Sequence, residues 1–96
     1  MWIKINNNIY AQSYDEPIAV VDVTVLQAEI ADLEASVASI QTEIDTLIAD
    51  SQGLPQNIQN SVQNNIGSDL QPVLYNTQEE LKKKKALLNE IYGNHI

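Results

Sequence analysis

Between Leu26 and Leu47 the chain sets down an aliphatic residue at alternating intervals of four and three: Leu26, Ile30, Leu33, Val37, Ile40, Ile44 and Leu47. Positions spaced this way share one stripe of an α-helix. The mean repeat of about 3.5 residues, shorter than the roughly 3.6 of a straight helix, implies left-handed supercoiling around a partner. With Ile30, Val37 and Ile44 at heptad position a, Leu26, Leu33, Ile40 and Leu47 fall at d. Thr24 and Gln27 have the spacing of a capping box, and Gly53 and Pro55 stop a helix, so the pattern predicts one long heptad helix over 24–52.

The pattern changes on either side. Over 1–23, Trp2, Ile3 and Ile5 precede the turn signal Asn6-Asn7-Asn8, and Ile9 and Tyr10 follow it. Asparagine tolerates positive φ and bonds its own backbone, so two short strands joined at that turn are expected; the β-branched run 18–25 reads either as a third strand ending near Asp22 or as the irregular first turns of the helix that follows. A hairpin this short needs a covering surface. Over 53–75 the chain is rich in Gln and Asn. There Ile58, Val62, Ile66 and Leu70 recur every fourth residue, a stripe that drifts out of heptad register, and Gly67 and Pro72 are expected to interrupt it. Thr77 and Glu80 give a second capping-box spacing, and Leu81, Leu88 and Ile91 lead to an expected C-cap at Gly93, which predicts a C-terminal helix over 76–93. The fold class is therefore mainly α: a long coiled-coil helix, then shorter helices forming a helical hairpin or an oligomeric bundle, with a small N-terminal β element.

Charge bears on what the long stripe packs against. Residues 26–50 hold no Lys or Arg. In a parallel homodimer Glu29 at g faces Glu34 at e of the next heptad, a like-charge contact with no cation to offset it. A chain folded back about Leu54 instead brings residue n near residue 108 minus n, so that Lys82–Lys85 approach residues 23–26, close to Asp22, Glu29 and Asp32. Exposed pairs contribute only about 0.2 to 1 kcal/mol each, so they set register, while burial of each Val, Leu or Ile supplies about 1.5 to 3 kcal/mol. A two-helix hairpin covers the stripe on one side only. Ile48 at e, with Ala28, Ala35, Ala38 and Ala49, widens the apolar surface further, so hairpins that associate, or a trimeric stalk, are expected.

Composition narrows the chemistry. A chain of 96 residues makes one small domain with a thin core, for which association often supplies the missing burial. The formal charge is −8, from 13 acidic and five basic residues, which argues against nucleic acid or an anionic membrane surface as partner. Cysteine is absent, which removes disulfides, thiolate zinc sites and a cysteine nucleophile. No secretory h-region and no membrane-length apolar run is expected, which points to a soluble compartment. His95 has no companions for a metal site or triad and reads as a frayed tail. Glu29, Asp32, Glu34, Glu43, Asp45 and Asp50 read as a solvated helix face, since no apolar pocket separates two carboxyl pKa values. The run Lys82–Lys85 splays around its helix, which favours pairing with the acidic arm over a phosphate contact. No catalytic, cofactor-binding or metal residues are assigned, no cofactor and no small-molecule substrate is expected, and the chain reads as not an enzyme. Trp2, Ile3, Ile5, Ile9 and Tyr10 are candidate docking residues, with Trp2 and Tyr10 equally suited to the core of the β element.

The opening MWIKINNNIY joined to the coil EIADLEASVASIQTEIDTL resembles, across residues 1–50, small coiled-coil structural proteins of bacteriophage particles, such as tail, neck and head-fibre components. The resemblance implies a virion part built from several copies, a homo-oligomer docked on a larger protein assembly by its N-terminal segment, located in the virion or the host cytoplasm. The alternative expectation is a soluble adaptor or chaperone-like module that offers its stripe to a partner helix.

Overall fold

The computed structural model describes residues 1–12 and 19–93. Three strands, β1 (Trp2–Lys4), β2 (Ile9–Gln12) and β3 (Val20–Asp22), form an antiparallel sheet in sequence order. Asparagine chemistry makes the first turn: Asn6 Oδ1 accepts the backbone N–H groups of Asn8 at 2.9 Å and Ile9 at 3.0 Å. The third strand ends at Asp22, one of the two readings of the β-branched run; Ile18, at the start of that run, lies outside the described residues, as do the remainder of 13–18 and His95 with its neighbours.

Helix α1 (Val23–Ser51) follows β3 without a loop. Its cap differs from expectation. Asp22 Oδ1 accepts the N–H of Thr24 at 2.8 Å and of Val25 at 3.4 Å, so a carboxylate two residues earlier does the work assigned to a Thr24–Gln27 box. An aspartate ending a strand already has the extended backbone an N-cap needs, and Thr24 is left inside the helix.

Pro55 starts the return as the residue before helix α2 (Gln56–Asn65), with φ −54° and ψ 149°. Gln59 closes the turn: its Nε2 donates to the carbonyls of Leu54 at 2.8 Å and Gln52 at 3.2 Å. The break expected at Gly67 and Pro72 does not occur. A single π turn, Ile66–Leu70, joins α2 directly to helix α3 (Gln71–Gly93). Gln71 N–H donates to Ile66 C=O, five residues back, and the wider turn takes in Pro72 without ending the helix. The second capping box is absent for the same reason: Thr77 lies within α3 and its hydroxyl donates to Val73 C=O at 2.7 Å. The division at 75/76 is therefore replaced by one helical arm from Gln56 to Gly93, its last described residue.

The chain divides into two compact units, Met1–Asp32 with the chain from Leu81 onward, and Leu33–Glu80. The first packs one face of the sheet with the start of α1 and the end of α3, around Trp2, Tyr10, Val23, Leu26, Ile30 and Ile91. The second packs the rest of α1 against the returning arm, around Ile44, Ile66 and Leu74.

Candidate functional site

Among the described residues two apolar surfaces stand out, one in each unit. In the first unit the sheet alternates, because successive side chains on a strand point to opposite faces. Trp2 and Tyr10 point inward and are 3% and 4% exposed, and Val21, paired with Tyr10, packs against the same cluster. On the other face the register aligns Ile3, Ala11 and Val20 in one cross-strand row. Ile3 and Val20 are 43% and 61% exposed, Ile9 and Ala11 are half-buried, and Ile5 just past β1 is exposed. An antiparallel sheet with one solvated face normally carries polar side chains there; this one carries aliphatic side chains on that face as well. The docking set thus splits by parity. Trp2 and Tyr10 belong to the core, and Ile3, Ile5 and Ile9, joined by Ala11 and Val20, form the open surface. Sequence alternation contained that signal, but only the pairing shows which residues share a face.

The end of α3 secures the sheet's inner face. Tyr92 meets Tyr10 edge to face, with ring centroids 6.3 Å apart at 79°, and its hydroxyl accepts Gln27 Nε2 at 3.0 Å. Ile91 is fully buried, and Leu81, Leu87 and Leu88 pack against the cluster. Among the described residues, Trp2 Nε1 is buried without a hydrogen-bond acceptor. Beside β3 an open hollow of about 320 Å³ is lined by Val20, Val25, Leu26 and Leu87, with Glu29 and Lys84 on its wall. These two form an ion pair at 2.5 Å. It shows the lysine run meeting the acidic arm, but five residues further along the return than symmetry about Leu54 gives. The π turn adds one residue to the return and so accounts for about one of these five.

In the second unit the stripe is only partly covered. Of its residues Ile44 alone is buried; Leu33, Val37, Ile40 and Leu47 are half-buried, and so are Ile48, Val62 and Leu70 around the same cluster. Leu33 joins neither cluster. Residues 33–80 carry four carboxylates on α1 (Glu34, Glu43, Asp45, Asp50) and three on the returning arm (Asp69, Glu79, Glu80), with no Lys, Arg or His. All five lysines, Lys4 and Lys82–Lys85, fall in the first unit. The Lys84–Glu29 ion pair lies within the first unit.

Among the described residues no group of three or more His, Asp or Glu is placed to hold a metal ion, and no helix is long and apolar enough to cross a membrane. No family model, curated protein or solved structure matches the chain.

Proposed function

We propose that this is a non-enzymatic adaptor in protein assembly, which joins a helix of another protein to the half-covered stripe of residues 33–80 and attaches elsewhere through the aliphatic outer face of its sheet. The observation that carries the reading is the thinness of the second unit's core, three buried side chains amid a ring of half-buried Val37, Ile40, Leu47, Ile48, Val62 and Leu70. Each of these aliphatic side chains still has a minor share of its surface to bury, so completing the burial adds roughly 0.5 kcal/mol apiece, and one more helix laid on this stripe gains on the order of 2 to 3 kcal/mol. Carboxylates flanking the stripe, with no cation in the unit, favour a foreign helix over a copy of the same acidic surface.

A second reading is favoured by the unbroken heptad spacing from Leu26 to Leu47. In it, copies of the chain complete the seam and build a stalk, such as the virion part that the first 50 residues resemble. Solution mass over a range of concentrations, read with helix content and binding of an apolar fluorescent dye, separates the two. A helical monomer that binds dye, and loses dye binding on Val37→Ser with Ile40→Ser, supports the adaptor. A fixed trimer or larger species at the lowest concentration supports the stalk, and a helical monomer that binds no dye excludes both.

A further inference from the structure

Resting on the adaptor reading, we propose that the helix accepted by residues 33–80 is a basic amphipathic one, with aliphatic residues every three or four positions and Lys or Arg beside them. The chain itself shows the rule. In the first unit α1 presents Leu26 and Ile30 with Glu29 alongside, and the returning helix answers with Leu88, Ile91 and Lys84, whose ammonium pairs with Glu29. In the second unit α1 repeats the same layout, Val37, Ile40, Ile44 and Leu47 with Glu43 and Asp50 at the flanking g positions. There the returning arm answers the aliphatic residues and brings three more carboxylates. Apolar complementarity is half met, and residues 33–80 contain no cation of their own to set beside Glu43 and Asp50.

A second copy would double seven carboxylates around one seam. A Lys- or Arg-flanked helix would bury the half-exposed aliphatics and place cations beside Glu43 and Asp50, as Lys84 sits beside Glu29. Apolar burial then supplies most of the affinity, and charge supplies encounter rate and choice of partner.

The test titrates the full chain with synthetic helical peptides about four heptads long. One carries Leu and Ile at a and d with Lys at e and g. A second replaces those Lys by Glu, a third replaces them by Gln, and a fourth keeps Lys but has Ser at a and d. The first is expected to bind at least about tenfold more tightly than the second and fourth, and to weaken roughly tenfold from low to high salt. Glu43→Gln with Asp50→Asn, both exposed and outside the core, should weaken the first peptide several-fold and leave the third unchanged. Equal binding of the first and fourth overturns the proposal, because the surface is then only a polyanion. Equal binding of the first three overturns the basic partner while leaving a helix-joining adaptor in place. Binding of none overturns both.

Discussion

The N–H of Gln71 bonds the carbonyl oxygen of Ile66, and this one widened turn lets residues spaced by four stay on a single face. Val62 and Leu74 are twelve residues apart; at about 100° per residue an unbroken α-helix would carry them roughly 120° out of line. Both nevertheless pack in one cluster with Ile66 and Leu70. Beyond the turn the covered positions Leu74, Thr77, Leu81, Lys84, Leu88 and Ile91 follow heptad spacing. The π turn thus hands a four-residue repeat over to a heptad.

Deleting Ser68, an exposed residue inside that turn, should restore a plain α-helix in which Val62 and Leu74 are separated by eleven residues, only about 20° out of line, so that Leu74 still faces Ile44. Helix content measured by circular dichroism is expected to hold and stability in urea to change by less than about 1 kcal/mol; a fall of about 2 to 3 kcal/mol, the contribution of a buried leucine, would mean that Leu74 had turned out of the cluster. Gly67→Ala has open space around the new methyl and should instead gain roughly 0.5 to 1 kcal/mol.

The cap of α1 separates two neighbouring residues. Asp22→Ala should cost about 1 kcal/mol, since the N–H groups of Thr24 and Val25 lose their acceptor, whereas Thr24→Ala should change stability by less than about 0.5 kcal/mol. Equal losses in chemical denaturation would restore the capping box.

Parity along β1 predicts opposite outcomes for adjacent positions. Trp2→Ala should cost about 3 to 5 kcal/mol, and Ile3→Ala less than about 1 kcal/mol, in thermal or urea unfolding. Trp2→Phe should recover most of the loss, because the indole N–H it removes has no acceptor among the described residues.

The Glu29–Lys84 pair joins side chains 45% and 28% exposed. Lys84→Gln should therefore lower stability by only about 0.2 to 1 kcal/mol at low ionic strength, and by less in high salt. A loss that is the same at both ionic strengths would mean that Lys84 acts by packing its stem and not by its charge.

By itself the sequence determined the elements whose cause is local. Heptad spacing fixes the long helix, Asn6 the hairpin turn, and Gly53 and Pro55 the reversal. All of these act over a few residues of chain. What only the tertiary structure decided depends on which distant surfaces meet. Gly67 and Pro72 punctuate an isolated helix, yet here burial of Ile66 and Leu74 against Ile44 outweighs their local preference, and one wide turn replaces the break. In the same way Trp2 is core and Ile3 is surface because strand pairing and the arrival of Ile91 and Tyr92 choose the inner face. Lys84 meets Glu29 and not the residue that symmetry about Leu54 gives, because register is set by the summed burial of aliphatic side chains, each stronger than an exposed ion pair.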